Sequence, residues 1–131
     1  MEKSTFIIDI DGTICNAPQK SDGSYDYPNA VPIAPTIERI NYLYDEGHKI
    51  IPFTARGHRT FRGDLQKIED HHGPILKEWM DRHGVKRHEI RTGKPWGENP
   101  IYVDNRSLSL SKFVWKHPGQ FEHIIEEENK I

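Results

Sequence analysis

The sequence predicts an α/β fold with a Rossmann-like, mainly parallel sheet flanked by helices. Short apolar runs that indicate buried strands alternate with segments in which apolar residues recur at helical spacing. The order is strand, helix, strand, helix, strand, strand, helix, which is typical of such sheets. The 131 residues are enough for one core, so we predict a single domain over residues 1–131.

The first half of the chain supplies the clearest elements. Residues 5–10 (TFIIDI) form a continuous apolar run and predict a strand buried on both faces. Residues 11–32 are rich in Gly, Pro, Asn, Asp and Ser and predict a long loop or a small hairpin flap. Ile37, Ile40, Leu43 and Tyr44 recur at helical spacing, and Gly47 is typical of a helix end.

The second half predicts shorter elements. Residues 48–55 (HKIIPFTA) indicate a strand, in which Pro52 favours an edge position or a bulge. Gly73 and Pro74 divide the next region into two predicted helices, and Gly84 ends the second. The remaining predicted elements are helices at 64–72 and 74–83, short strands at 88–92 and 100–105, and a helix at 121–128.

Composition excludes several classes of function. Lys and Arg number 18 against 20 Asp and Glu, so a net charge of −2 provides no overall basic field for nucleic acid or an anionic membrane. We find no apolar stretch that indicates a signal peptide or a membrane span, which predicts a cytoplasmic protein. The one cysteine, Cys15, excludes an intramolecular disulfide. Since no base is evident beside it, we predict a packing role for Cys15.

Polar residues stand at the carboxyl ends of three predicted strands, namely Asp9, Thr54 and Asp104. Open α/β sheets bind ligands in the crevice beyond these ends. A carboxylate at the edge of a core is costly unless it is paired or metal-bound, so Asp9 and Asp11 indicate a site. Gly12 permits a sharp turn that lets both carboxylates face one divalent cation, and hard oxygen ligands favour Mg²⁺.

Four motifs lie in order along the chain: DIDGT at 9–13, FTAR at 53–56, GKP at 93–95 and YVDN at 102–105. Together they resemble the haloacid dehalogenase (HAD) superfamily and, within it, the small phosphatases encoded with surface-polysaccharide genes. The resemblance covers nearly the whole chain. It implies a HAD core without a large cap domain, because residues 14–35 leave room only for a flap and residues 57–93 are mostly helical.

The resemblance also implies the roles of five residues. Asp9 is the nucleophile that forms an aspartyl-phosphate, and Asp11 is the general acid and base. Thr54 hydrogen-bonds the phosphoryl oxygens, and Lys94 offsets the negative charge shared by Asp9 and the phosphoryl group. Asp104 binds Mg²⁺ together with Asp9 and the backbone carbonyl of Asp11.

Candidates for substrate contact stand beside the motifs: Ala55, Arg56, His58, Arg59, Trp96 and Asn105. The backbone amides near Ala55 and Arg56 are expected to help hold the phosphoryl group. The side chains of Arg56, His58 and Arg59 either contact a substrate anion or are solvated loop residues.

Asn105 departs from the family pattern, which often has a second acid at this position. Its amide either coordinates the cation or orients a bound water, but it supplies no charge. Tyr25, Tyr27 and Trp96 are candidate walls for a sugar or polyol group. Elsewhere, Trp79 is predicted in the core, and His71 and His72 are predicted on an exposed helix face.

The implied function is a Mg²⁺-dependent phosphomonoesterase for a small phosphorylated metabolite. Sugar, polyol or amino-alcohol phosphates of capsular or surface polysaccharide biosynthesis are the expected substrates. A phosphoryl transferase shares the two aspartates but usually needs a larger cap. A catalytically silent module that binds phosphate or Mg²⁺ is a third class, suggested only by Asn105. A site without a large cap either accepts larger phosphorylated molecules or is closed by another subunit of a homo-oligomer.

Overall fold

The computed structural model describes residues 3–93, 95 and 97–130. Its elements in chain order are β1 (Thr5–Asp9), β2 (Cys15–Asn16), β3 (Val31–Pro32), α1 (Ala34–Asp45), β4 (Lys49–Thr54), α2 (Leu65–Arg82), β5 (Arg91–Thr92), β6 (Pro100–Val103), α3 (Leu110–Trp115) and α4 (Phe121–Glu128). Short 3-10 helices lie at Tyr27–Asn29 and Pro118–Gln120. The positions predicted for β1, α1 and α4 are confirmed, whereas α3 was not predicted.

Four parallel strands form the main sheet in the order β5-β4-β1-β6. The chain therefore runs outward from β1 through β4 to β5 and then returns to the other side of β1 for β6. In open α/β sheets, such a reversal opens a crevice at the carboxyl ends of the two strands that flank it, here β1 and β6. The predicted Rossmann-like α/β fold is confirmed.

The segment between β1 and α1 forms the predicted flap. Its strands β2 and β3 pair antiparallel, with Cys15 opposite Pro32. The indole Nε1 of Trp79 in α2 donates a hydrogen bond to the Ala30 carbonyl at 2.9 Å, which ties the flap to that helix. The described residues contain this flap and no large cap domain, as predicted.

A continuous core joins the sheet, the flap, α1 and α2. Trp79 belongs to it, as predicted. Its buried members are Ile8, Ile10, Ile14, Cys15, Ala30, Ile40, Ile50, Leu76, Trp79, Met80 and Val85. No helix in the described part of the chain is long and apolar enough to cross a membrane.

Helix α2 is continuous, so the division predicted at Gly73 and Pro74 is wrong. A proline inside a helix costs about 3 kcal/mol because it removes one backbone hydrogen bond and crowds the preceding turn. The buried face of α2 outweighs this cost, since each large apolar side chain contributes about 1.5–3 kcal/mol when buried. That face consists of Ile68, His72, Leu76, Trp79 and Met80.

The same continuity explains His72, whose predicted exposed position is wrong. His72 is four residues from both Ile68 and Leu76, so all three lie on the buried face of one helix. Its residual exposure is only 5%. The neighbouring His71 is exposed, as predicted.

Strand β4 lies between β5 and β1, so the edge position predicted from Pro52 is wrong. The Ile50 carbonyl accepts a hydrogen bond from the His88 amide on the β5 side, and alternate residues of a strand direct their backbone groups to the same side. Pro52 therefore faces β5. Because pairing with β5 begins only at Phe53, the N–H that Pro52 lacks is not needed by the ladder.

Candidate active site

The strand ends bring three carboxylates into one region. Asp9 is the last residue of β1, Asp104 directly follows β6, and Asp11 lies just beyond β1. Burial raises the pKa of Asp9 to about 7, and the charges of Asp104 and Asp11 add to the effect. The structure thus places negative charge around the crevice between β1 and β6, where the sequence predicted a cation site.

The carboxylate of Asp11 is held by Arg56 and Thr54. Arg56 Nε and Nη2 donate to Asp11 Oδ1 at 3.0 and 2.8 Å, and Thr54 Oγ1 donates to Oδ2 at 2.9 Å. The Arg56 side chain is 3% exposed, whereas that of Asp11 is 40% exposed. Arg56 is therefore a buried ion-pair partner rather than a solvated loop residue. Such a fork fixes the orientation of a carboxylate as well as its position.

Tyr27 of the flap covers Arg56. The guanidinium carbon lies 3.9 Å from the centre of the Tyr27 ring, a cation–π contact. The edge of Tyr27 in turn meets the His72 ring of α2, with the ring centres 5.6 Å apart. Flap, helix and the loop after β4 are therefore linked through the residue that holds Asp11.

Two glycines permit the close approaches that this arrangement needs. Gly12 has φ +84°, and a Cβ there would lie 2.4 Å from Asn105 Nδ2, so the turn after Asp11 brings the Asn105 amide directly over it. Gly57 has φ +80°, and a Cβ there would lie 2.9 Å from His72 Cδ2. Glycine tolerates both the backbone conformation and the proximity. The sharp turn predicted at Gly12 is confirmed.

Cys15 lies beneath the same cluster. Burial raises the pKa of its thiol to about 11, so the thiol remains protonated at neutral pH. Arg56 Nη2 lies 3.7 Å from its sulfur. These surroundings agree with the packing role predicted for Cys15.

A cleft of about 760 Å³ opens above Asp9 and Asp11. This is the size of a small-molecule site. Tyr25 and Tyr27 form part of its wall, as predicted, and the exposed Arg59 lies at the same wall. Its other lining residues are Gly12, Asn16, Ala17, Gly23, Ala55, Arg56, Gly57 and Thr60.

The remaining predicted site residues lie as follows. Thr54 is fully buried, and its hydroxyl also accepts a hydrogen bond from the Arg56 amide at 3.1 Å. His58 is outside the lining of the cleft, and its Nε2 is buried without a hydrogen-bond partner among the described residues. Lys94 and Trp96 lie outside the described residues.

The donors around the crevice fit Mg²⁺. Among the described residues, no three His, Cys, Asp or Glu side chains form a group that could hold a metal ion. The Asp11 carboxylate is occupied by Arg56, which leaves the carboxylates of Asp9 and Asp104. Mg²⁺ usually binds one or two carboxylates and keeps several waters, so two such groups and a backbone carbonyl suit it.

Comparison with solved structures gives a related protein. The crystal structure of a target from Vibrio cholerae matches 95% of this chain and 98% of its own chain, with 34% sequence identity and a TM-score of 0.62. The chain belongs to the same family as this Vibrio cholerae protein. The Vibrio cholerae protein is described only as a target, with no activity named. Searches of family models and of curated proteins gave no match.

Proposed function

We propose that the protein is a Mg²⁺-dependent phosphomonoesterase of the haloacid dehalogenase type. The observation that carries this proposal is the convergence of Asp9, Asp11 and Asp104 at one crevice, with the pKa of Asp9 raised to about 7 by burial and by the other two carboxylates. Clustered carboxylates of this kind are costly for a fold and are typical of sites that bind a cation. The four ordered motifs, which contain these three aspartates, support the same reaction.

Asp9 is the nucleophile in this proposal. One of its carboxylate oxygens attacks phosphorus, the bond from phosphorus to the ester oxygen breaks, and the alcohol leaves with a proton. Water then attacks the aspartyl-phosphate, which releases inorganic phosphate and regenerates Asp9. A bound Mg²⁺ supplies positive charge that favours the ionised form of Asp9 and offsets charge on the phosphoryl oxygens.

Asp11 donates the proton to the leaving alcohol and later accepts one from water. Arg56 and Thr54 hold its carboxylate from the buried side, while 40% of the side chain is exposed at the cleft. The residue is therefore oriented and also reachable by a leaving group. Correct orientation of the acid is a large part of its catalytic value.

The other assigned roles follow the motifs. The hydroxyl of Thr54 is fully buried and donates to Asp11, and it also accepts from the Arg56 amide, so Thr54 orients Asp11 in this proposal. The Ala55 amide, at the wall of the cleft, is left to contact phosphoryl oxygens, and Lys94 neutralises charge. Asp104, Asp9 and the carbonyl of Asp11 hold Mg²⁺, with Asn105 at the metal or beside it.

The substrate in this proposal is a small phosphorylated metabolite in the cytoplasm, of the sugar, polyol or amino-alcohol type used for capsular or surface polysaccharide. Tyr27 stacks on Tyr25, with ring centres 6.0 Å apart, and also packs on the Arg56 guanidinium. The ring of Tyr25, which is 51% exposed, is therefore the one whose face suits the apolar face of a sugar ring. Arg59 adds an exposed cation at the same wall. The cleft volume of about 760 Å³ accommodates such a molecule.

Hydrolysis is favoured over phosphoryl transfer by the exposure of the cleft. The side chain of Asp11, which lines the cleft, is 40% exposed, so water reaches the site. A transferase must protect its phosphorylated intermediate from water. The flap alone does not provide such protection.

The test is phosphate release from p-nitrophenyl phosphate with Mg²⁺, with chelator, and with Mg²⁺ added back after chelation. We expect release that chelation abolishes and Mg²⁺ restores. Absence of release in the Mg²⁺-loaded protein would favour the silent binding module. A screen of sugar, polyol, amino-alcohol and nucleotide monophosphates then identifies the substrate class.

A further inference from the structure

The flap places Tyr27 over the buried guanidinium of Arg56. The guanidinium carbon lies 3.9 Å from the centre of the Tyr27 ring, and the Arg56 side chain is 3% exposed. Both residues line the cleft, yet the ring of Tyr27 rather than solvent covers this face of the guanidinium. Among the described residues, the side chain of Tyr27 makes ring contacts and no hydrogen bond. Its effect on Arg56 is therefore an effect of the ring.

Arg56 is suited to bind phosphate as well as a carboxylate. A guanidinium fork binds either group through two parallel N–H donors. In this structure Nε and Nη2 donate to Asp11 Oδ1 at 3.0 and 2.8 Å, and Asp9 lines the same cleft. An arginine that is free to turn can leave Asp11 for a phosphoryl group held at Asp9. Asp11 would then lose the partner that orients its carboxyl group.

Tyr27 is itself held from the side of α2. The edge of its ring meets His72, with ring centres 5.6 Å apart, and His72 is only 5% exposed. The Tyr27 carbonyl accepts a hydrogen bond from the Ala30 amide at 3.1 Å, and the Ala30 carbonyl accepts one from the Trp79 indole at 2.9 Å. Ring and backbone are thus both tied to α2, so Tyr27 is a fixed support for the guanidinium.

We propose that Tyr27 is a positioning residue, whose ring keeps the Arg56 guanidinium on Asp11 and thereby keeps the Asp11 carboxyl group oriented for proton transfer. The inference rests on the proposed function, since proton transfer to the leaving group belongs to that reaction. Desolvation strengthens a cation–π contact, and this guanidinium is almost fully buried. Because the hydroxyl of Tyr27 is not used, any aromatic face at this position should serve.

Two aryl esters of similar shape separate this role from a general loss of activity. p-Nitrophenolate leaves without a proton, whereas phenolate is more basic and gains from one. With excess Mg²⁺, Tyr27→Leu should lower kcat/KM for phenyl phosphate by about 10-fold and for p-nitrophenyl phosphate by less than about 3-fold. Tyr27→Phe keeps an aromatic face and should have values near those of wild type. Circular dichroism establishes folding, and Tyr27→Met repeats the test if Tyr27→Leu does not fold.

A second measurement needs no substrate. In the full chain without ligand, NMR follows exchange of the Arg56 Nε–H proton with water, and the signal is assigned by its loss in Arg56→Lys. Tyr27→Leu should accelerate this exchange by about 10-fold or more, whereas Tyr27→Phe should leave it slow. Tyr42→Leu is the matched control, because Tyr42 makes a second cation–π contact, with Arg39 of α1 at 5.5 Å. It should change neither the kinetics nor the exchange.

Three results would overturn the inference alone. The first is an equal loss for the two esters in Tyr27→Leu, which would make Tyr27 part of the packing. The second is a raised KM with unchanged kcat for both esters, which would assign Tyr27 to substrate binding. The third is exchange of the Arg56 Nε–H proton that Tyr27→Leu leaves unchanged. No phosphate release by wild type would instead overturn the proposed function and, with it, the task of Tyr27, even where the exchange data show that the ring holds Arg56.

Discussion

Asp9 and Asp11 are separated by one residue, yet their surroundings differ. Asp9 lies among other carboxylates, and burial with their charge raises its pKa to about 7. Asp11 instead accepts hydrogen bonds from Arg56 and Thr54. Where two carboxylates occupy such different environments, they can divide the roles of nucleophile and proton carrier. The geometry therefore provides a physical basis for assigning different roles to the two residues.

The role proposed for Asp11 predicts a defect that depends on the leaving group. In Asp11→Asn, formation of the aspartyl-phosphate should slow by about 10²–10⁴-fold for a sugar or polyol phosphate and far less for p-nitrophenyl phosphate, whose leaving group needs no proton. Because Asp11 is also proposed to activate water, the variant should give a burst of nitrophenol followed by slow phosphate release. Rapid-quench single-turnover experiments measure both steps.

Asp22→Asn is the matched control, since Asp22 is an exposed flap carboxylate that accepts hydrogen bonds only from Ser24 among the described residues. It should behave as wild type. Equal losses for alkyl and aryl esters in Asp11→Asn would mean that Asp11 is structural or positions the metal.

Asp104 and Asn105 predict different metal dependence. Asp104 contributes charge near Asp9, whereas Asn105 is neutral and lies over Gly12. Asp104→Ala should therefore raise the Mg²⁺ concentration needed for half-maximal phosphate release much more than Asn105→Ala does. A Mg²⁺ titration of both variants decides this. Equal shifts would assign Asn105 a direct place at the metal.

Helix α2 keeps Pro74 in its interior because the buried face on either side of it holds the helix together. Pro74 itself is exposed, so its replacement removes no buried contact. Pro74→Ala should raise the free energy of unfolding by about 1–3 kcal/mol, since it restores one backbone donor and a good helix former. Urea denaturation measures the change.

Pro74→Gly separates the two contributions. It restores the same N–H, but glycine is about 1 kcal/mol less favourable than alanine in a helix. The free energy of unfolding should therefore rise less in Pro74→Gly than in Pro74→Ala. Unchanged or lower stability in Pro74→Ala would show that the proline does not strain α2.

Local patterns were enough to predict several elements but not their partners. The apolar run of β1 and the helical spacing of α1 depend on neighbouring residues, so both were predictable. The continuity of α2 depends on tertiary burial, which overrode the local signal of Pro74. Helix α3 has only six residues and none of them is buried. Its sequence therefore lacks the alternation of an apolar and a polar face by which a helix is predicted.

The ion pair of Asp11 and Arg56 shows the same limit within the site. The two residues are 45 positions apart, and no spacing rule connects them. Both residues were candidate site residues in the sequence, because Asp11 and Arg56 lie in motifs that follow predicted strands. It did not predict that Arg56 would hold Asp11 under Tyr27, since that contact requires the folded flap.

The order of the whole sheet creates the site. Asp9 and Asp104 are far apart in the chain, and they meet because β6 returns to pair with β1. The sequence predicted that these residues end strands of one sheet, which places them at one edge. It did not predict which strands are neighbours. The related Vibrio cholerae protein matches nearly the full length of this chain, so the relation extends over the whole fold rather than one motif.

Phosphate release by Asp9→Asn beside wild type, with p-nitrophenyl phosphate and excess Mg²⁺, tests the proposed reaction most directly. An amide at this position keeps the shape of the side chain but cannot form the aspartyl-phosphate. We predict Mg²⁺-dependent release by wild type and none above background by Asp9→Asn, with unchanged circular dichroism. Release by pure, folded Asp9→Asn at a rate near that of wild type would contradict the account.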